Sequence, residues 1–233
     1  MIKTSQDIIK TFTVGENSSE KDILLRENSN FVYGLPLLRH NIDNHEEKEF
    51  LYNEIYTKEL VRLADEGVIY IHDKQLAPYC NSISCVTVAT IGVPTIAKNM
   101  ISSKPTSKIN TFFRQISNLV VLISQQSSGA CMISQFTTVV AGYIYSMRKN
   151  GSNISEDDLT EMWYNLIWEL NLPLRSGSQS SFSNITLEFG KPSDEVRDQY
   201  IVVGGKSLDE KYSEIPAEIF DLVNKCFIAA CLS

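Results

Sequence analysis

The spacing of apolar residues predicts a chain that is largely helical. Apolar positions recur at intervals of three and four over several long stretches, which is the period of an amphipathic helix. Gly67 ends the first of these helices, Ser155 caps the fourth ahead of an acidic first turn, and Pro173 stops it. The predicted helices cover residues 46–66, 107–125, 131–148, 156–170 and 216–232.

Strand patterns are shorter and fewer. The β-branched run at 68–71, the alternating stretch at 182–189 and the run at 201–203 before a Gly-Gly turn each predict a strand. Residues 82–90 fit either a strand or a buried helix, because periodicity alone does not separate the two. Strands that alternate with helices indicate an α/β fold. A closed barrel needs about eight strands, so the few strands found here indicate part of a barrel.

Composition limits the location and the partners. The chain of 233 residues carries a net charge of −7, which argues against nucleic-acid binding because that function needs a basic face. No apolar run reaches the roughly 18 residues that span a bilayer, and the N-terminus has no apolar signal core. We therefore expect a cytoplasmic protein that contacts neither membrane nor nucleic acid. Its five cysteines form no Cys-x-x-Cys pair, so we expect neither a disulfide framework nor a metal site.

The first candidate for chemistry is the segment 67–85. Its β-branched run leads into His72 and Asp73, and the thiols of Cys80 and Cys85 follow. A buried strand that ends in titratable and redox-active groups is how a barrel presents chemistry at its rim. The plainer alternative is that Asp73 caps a turn, that His72 is a core histidine, and that both thiols only fill the core.

The second candidate is the serine-rich block at 175–184, which lies between a predicted helix and a predicted strand. It combines the Arg175 guanidinium with short hydroxyl side chains such as Ser178 and with the amide of Gln179. Such donors suit a polar, hydroxylated or phosphorylated ligand. A solvated connector between two elements is the alternative for this block.

Several short motifs occur together in one order along the chain. They are Glu27-Asn28-Ser29-Asn30, the segment from Gly67 to Asp73, Pro78-Tyr79-Cys80, and a block with Arg175, Gly177, Gln179, Phe182 and Asn184. From about Arg26 onward the chain resembles the N-terminal half of the catalytic subunit of the anaerobic (class III) ribonucleoside-triphosphate reductases, which are glycyl radical enzymes. The resemblance implies the N-terminal half of a ten-stranded, helix-rich α/β barrel at residues 26–233, after an N-terminal extension at 1–25.

The resemblance also assigns roles to residues. Members of this family work through a thiyl radical that a C-terminal glycyl radical generates. The resemblance implies that Cys85, or else Cys80, is a second working cysteine, with His72 as a further catalytic candidate. The implied substrate-binding residues are Tyr70, His72, Arg175, Ser178 and Gln179.

Cofactors and partners follow from the same resemblance. This chain would bind no cofactor itself, whereas the complete enzyme would carry a glycyl radical made by a radical-SAM activating protein, with formate or a dithiol as reductant. The ligands would be a ribonucleoside triphosphate substrate and dNTP or ATP effectors. The helices at 107–148 would form a homodimer, and a complementary C-terminal half would lie on another chain.

Some positions depart from the family pattern. Tyr70 stands where a histidine is common, Thr137 where an aspartate is expected, and Ser181 where a proline is usual. The finger-loop cysteine and the radical glycine of the family are absent from these 233 residues, so we expect no activity from this chain alone. Two alternatives stay open: a non-catalytic nucleotide-binding remnant, and a fragment of an enzyme similar to pyruvate formate-lyase.

Overall fold

The computed structural model describes most of the chain and divides it into two compact units. The described residues are 4–14, 34–71, 76, 80–94, 102–127, 129–175 and 179–233. Unit 1 comprises Met1–Tyr79, Ser124–Gly129 and Leu172–Ser181, and unit 2 comprises Cys80–Ile123, Ala130–Asn171 and Phe182–Ser233. In the described part of the chain, no helix is both long enough and apolar enough to cross a membrane.

The described part of unit 1 consists mainly of helices. They are α1 (Ser5–Val14), α2 (Leu35–Phe50), a π-helical turn (Leu51–Ile55) and α3 (Lys58–Asp65). The prediction of one continuous helix over 46–66 is wrong, because the backbone is extended at Tyr56 (ψ 141°). The Thr57 hydroxyl then caps α3 by accepting the Leu60 N–H at 3.2 Å, a role for which threonine is well suited.

The strand predicted at 68–71 is not formed. Gly67 adopts a φ of 72°, and the chain folds back over the end of α3. The N–H groups of Val68 and Ile69 donate to the Leu63 carbonyl oxygen at 2.9 and 3.3 Å. These donors therefore complete a helix C-terminus rather than a strand ladder.

Unit 2 contains a parallel sheet of three strands. They are β1 (Asn81–Ser84), β2 (Cys131–Ser134) and β3 (Ser183–Ile185), in the order β1-β2-β3. Two helices connect each strand to the next: α4 (Cys85–Ile91) and α5 (Ile109–Ser124), then α6 (Phe136–Lys149) and α7 (Glu156–Asn171). This is the predicted α/β arrangement, and neighbouring parallel strands in chain order are consistent with part of a barrel.

Two predicted segments each contain a strand and a helix. Residues 82–90 form the end of β1 and then α4, and 131–148, predicted as one helix, forms β2 and then α6. The Ser84 hydroxyl marks the first change by accepting the Thr87 N–H at 3.3 Å. Strands β1 and β2 are only four residues long, which is too short for periodicity to separate them from the helices that follow. One face of the sheet is exposed at Ser82, Met132 and Asn184.

The remaining elements form a hairpin and a final helix. Strands β4 (Tyr200–Val203) and β5 (Lys206–Lys211) pair antiparallel, and α8 (Ala217–Leu232) follows. Sequence analysis missed β5 because its residues are mostly polar. The helices predicted at 107–125, 156–170 and 216–232 are confirmed, whereas the strand predicted at 182–189 is limited to β3.

An aromatic cluster fixes the helices of unit 2 around the sheet. Trp163 on α7 is fully buried, and its ring centroid lies 4.9 Å from that of Phe113, 5.1 Å from that of Phe136 and 5.0 Å from that of Phe227. These residues come from α5, α6, α7 and α8, so the aromatic cluster joins four helices. Aromatic pairs at such distances add to the stabilisation that burial gives.

Candidate functional site

The carboxyl ends of the three parallel strands bring several polar side chains to one edge of the sheet. Cys85 directly follows β1, Gln135 directly follows β2, and Glu188 lies three residues beyond β3. Thr137, in the first turn of α6, contacts Glu188. We call Cys85, Gln135, Thr137 and Glu188 the strand-end site. In parallel α/β sheets this edge is where ligands bind and catalytic groups lie.

Cys85 is the predicted catalytic residue of the strand-end site. Its side chain is 0% exposed. Burial raises the pKa of the thiol well above its usual range, and Glu188 and Cys131 raise it further. A position at the start of a helix favours the thiolate, but here desolvation outweighs that effect. The thiol therefore stays protonated at neutral pH, a form suited to hydrogen-atom exchange and not to nucleophilic attack.

Glu188 is a carboxyl group that is held partly out of water. Burial raises its pKa, hydrogen bonds from Thr137 and Thr138 lower it in part, and nearby Glu195 raises it again. The Glu188 N–H donates to Thr137 Oγ1 at 3.3 Å, and its carbonyl oxygen accepts from Asn224 Nδ2 at 2.7 Å. These contacts fix the segment after β3 to α6 and α8.

Gln135 has an unusual backbone conformation. With φ 57° and ψ 22° it is the one non-glycine residue with positive φ in the described part of the chain. Its Nε2 donates to Glu195 Oε2 at 2.5 Å, and the Ser84 hydroxyl donates to its Oε1 at 3.5 Å. Such conformations cost free energy and concentrate at functional sites. This residue was not predicted as part of a site, because β2 and α6 were predicted as one helix.

Arg175 and Gln179, both in unit 1, bind each other through backbone and side-chain hydrogen bonds. Their backbones exchange two hydrogen bonds of 2.9 and 3.1 Å, and Arg175 Nη1 donates to Gln179 Oε1 at 2.9 Å. The guanidinium also donates to the carbonyl oxygens of Ser127 at 2.9 Å and Ser124 at 3.3 Å. Arg175 is 6% exposed and Gln179 3%. The structure thus gives Arg175 a structural role at the end of α5, and its contact with substrate stays a prediction.

The other predicted site residues are exposed or lie outside the described residues. Tyr70, in unit 1, is 81% exposed, and Cys80, in unit 2, is an exposed thiol just before β1. His72 and Ser178 lie outside the described residues, as does the Glu27-Asn28-Ser29-Asn30 block. Within the described ranges, no group of three or more His, Cys, Asp and Glu side chains is placed to hold a metal ion.

Comparisons with known proteins agree on one family. Residues 27–232 match the family described as anaerobic ribonucleoside-triphosphate reductase. The chain is also similar to the anaerobic ribonucleotide reductase from Thermotoga maritima in complex with dATP and CTP, with a TM-score of 0.64, 20% identity, and coverage of 97% of this chain and 39% of that chain.

Two more solved structures show the same likeness. For the Thermotoga maritima enzyme with citrate in the active site, the TM-score is 0.68 at 19% identity, covering 96% of this chain and 40% of that chain. For another anaerobic ribonucleotide reductase, the TM-score is 0.61 at 21% identity, with 96% and 35% covered. At such identities the likeness shows a shared fold, and the chain spans about two fifths of the Thermotoga maritima proteins. A search of curated proteins found no match.

Proposed function

Because the chain belongs to the anaerobic ribonucleoside-triphosphate reductase family, we propose that it is part of an oxidoreductase that converts ribonucleotides to deoxyribonucleotides by glycyl and thiyl radical chemistry. The family and the α/β fold predicted from the sequence are both confirmed. The observation that supports the radical role is the buried, protonated thiol of Cys85 at the carboxyl end of β1.

Radical chemistry places two demands on a cysteine that Cys85 meets. The sulfur has to exchange a hydrogen atom, which requires the S–H form rather than the thiolate. It also has to be shielded from water and oxidants, because a reactive intermediate in an open site is lost to side reactions. Cys80 is exposed and meets the second demand less well, so burial favours Cys85 as the working cysteine.

The proposed substrate-binding residues are those predicted from the sequence. We propose that Tyr70, His72, Ser178 and Gln179 approach a ribonucleoside triphosphate, whereas Arg175 acts by shaping the loop that carries Gln179. The Thermotoga maritima relative was crystallised with dATP and CTP, which supports nucleotide substrates and effectors for this family fold.

We propose that the rest of the reductase machinery is supplied from outside these 233 residues. The chain spans 39% of the Thermotoga maritima protein. We propose that a complementary C-terminal half, on another chain, supplies the radical glycine and the remaining barrel strands. A radical-SAM activating protein would generate the radical in the cytoplasm, and formate or a dithiol would supply the electrons. The helices within 107–148 would form the homodimer contact.

An anaerobic assay tests this proposal. The chain is incubated with a ribonucleoside triphosphate, the activating protein and formate, alone and together with the missing half of the reductase. We expect deoxyribonucleotide from the combined sample only. Product from the chain alone would contradict the need for a second half. Nucleotide binding without product in the combined sample would favour the non-catalytic remnant.

A further inference from the structure

Helix α6 ends at the one Asn-Gly pair of the sequence, Asn150-Gly151. Both residues are exposed. Gly151 has a φ of 74°, and the position that a Cβ would occupy is open space. Solvent therefore reaches the Asn150 side-chain amide and the peptide bond that follows it.

Backbone hydrogen bonds close this end of α6 as a Schellman motif. The Ser152 N–H donates to the Met147 carbonyl oxygen at 2.9 Å. The Gly151 N–H donates to the Arg148 carbonyl oxygen at 3.0 Å. These two bonds define the motif, and a glycine with positive φ is the usual residue at this position.

Side chains add two contacts to the motif. Asn150 Nδ2 donates to the Ser146 carbonyl oxygen at 2.8 Å. Lys149, the last residue of α6, forms an ion pair with Glu210 on β5. Because helix ends fray, these contacts decide how often the last turn of α6 opens.

An asparagine that is followed by glycine can react with its own backbone. The Gly151 backbone nitrogen attacks Asn150 Cγ, a C–N bond forms and closes a cyclic imide, the Cγ–Nδ2 bond breaks, and ammonia leaves with the proton of the Gly151 N–H. Water then adds to one of the two imide carbonyl groups and opens the ring, so that residue 150 becomes aspartate or isoaspartate. Glycine favours the first step because it has no Cβ to obstruct the attack.

The folded geometry restrains both reacting groups. The hydrogen on the attacking nitrogen is bound by the Arg148 carbonyl oxygen, and the leaving amide is bound by the Ser146 carbonyl oxygen. Both bonds have to break before the nitrogen reaches Asn150 Cγ. The reaction therefore proceeds from a state in which the last turn of α6 is open, and such local opening costs less than global unfolding.

We propose that Asn150 is a deamidation site of this chain and that opening of the Schellman motif at the end of α6 limits the rate of the reaction. The product cannot donate to the Ser146 carbonyl oxygen, because a carboxylate only accepts hydrogen bonds. It also places a negative charge at the C-terminus of a helix, where the helix dipole favours cations. The modification therefore weakens the motif that restrained it. This inference does not depend on the proposed function.

Incubation of the full chain in mildly alkaline buffer, followed by peptide mass spectrometry, tests the site. Asn150 should convert to aspartate and isoaspartate, whereas Asn153 should persist over the same period. Asn153 is the matched control, because it is also exposed but is followed by Ile154, whose β-branched side chain obstructs the attack. Persistence of Asn150, or equal conversion of Asn153, would overturn the proposal.

The same reaction in guanidinium chloride tests the restraint. Conversion of Asn150 should be faster in the unfolded chain by on the order of tenfold to a hundredfold, because three hydrogen bonds hold the folded end of α6. Glu210→Gln, which removes the ion pair with Lys149, should speed conversion in the folded chain only. Glu156→Gln, which removes the exposed ion pair with Lys225, is the matched control and should leave the rate unchanged. Equal rates in the folded and unfolded chains would refute the restraint.

Hydrogen exchange measured by mass spectrometry tests the consequence of the modification. Asn150→Asp should lower the protection of the Gly151 and Ser152 amides, which close the Schellman motif. Asn153→Asp adds the same charge three residues later and should lower this protection less, because it leaves the bond from Asn150 Nδ2 intact. An equal loss of protection in the two variants would contradict the predicted weakening of the motif.

Discussion

Replacing Arg175 by alanine tests whether this residue is a structural clamp or a substrate contact. The guanidinium donates to the carbonyl oxygens of Ser124 and Ser127 and to Gln179 Oε1. Alanine would leave three buried acceptors without these partners. The perturbation lies entirely within unit 1, because all four residues belong to it.

The magnitude follows from the number and type of these hydrogen bonds. A hydrogen bond to a charged group contributes about 1.5–3 kcal/mol, and an acceptor left buried and unpaired costs about 1–3 kcal/mol. Water that enters the space left by the guanidinium recovers part of this loss. We therefore expect Arg175→Ala to lower the free energy of unfolding by about 3–5 kcal/mol, near the lower end of what three hydrogen bonds to a charged group contribute together.

Urea unfolding in the absence of nucleotide, followed by circular dichroism, measures this loss. Arg175→Lys should fall between wild type and Arg175→Ala, because one ammonium group cannot reach three separate acceptors. Arg197→Ala is the matched control, since its ion pair with Asp198 is exposed and should contribute less than about 1 kcal/mol. If Arg175→Ala unfolds like the wild type but loses nucleotide binding, the clamp is refuted and a direct substrate contact is supported.

Three further predictions concern the backbone and the thiols. Gly92→Ala should destabilise the chain far more than Gly151→Ala in urea unfolding. Both glycines have positive φ (79° and 74°), but a Cβ on Gly92 would lie 2.0 Å from a backbone oxygen, whereas a Cβ on Gly151 would have open space. Equal losses of stability would contradict this reasoning. Gln135→Gly should be more stable than Gln135→Ala by about 1 kcal/mol, since glycine adopts the left-handed conformation without strain; the reverse order would exclude strain at this position. Alkylation at about pH 8, followed by mass spectrometry, should modify Cys80 well before Cys85. The Cys80 thiol is exposed, whereas the Cys85 thiol is buried and protonated. Rapid modification of Cys85 would show that its thiol is reactive.

Most of the long helices were predictable from the sequence, as were β3 and β4, whereas β1, β2 and β5 were not. Long helices with a clear apolar period, such as 107–125 and 216–232, occur where the pattern placed them. Strands β1 and β2 were not separated from the neighbouring helices, because each is only four residues long and periodicity cannot tell so short a strand from a helix. The run at 68–71 shows the opposite error, since its β-branched residues predict a strand but Gly67 turns the chain back onto α3.

Only part of the candidate site could be predicted from the sequence. Cys85 was identified from the family resemblance and from a strand predicted at 68–71 that is not formed, whereas the strand that positions it is β1. Glu188 and Gln135 were not identified, because their roles depend on which strand ends the parallel register brings together. Arg175 was recognised as a charged donor, but the sequence could not show that helix-end carbonyl oxygens already occupy its guanidinium.

The central claim is that Cys85 is the working cysteine of a ribonucleotide-reducing assembly, and turnover by Cys85→Ser tests it most directly. Serine nearly keeps the side-chain volume but cannot form a sulfur-centred radical. In the complex reconstituted with the missing half, under anaerobic conditions, we expect Cys85→Ser to abolish deoxyribonucleotide formation while nucleotide binding stays at the wild-type level. Cys80→Ser, the matched control at an exposed thiol, should retain most of the activity. Turnover near the wild-type rate in Cys85→Ser would contradict the claim and would leave Cys85 as a packing residue of the core.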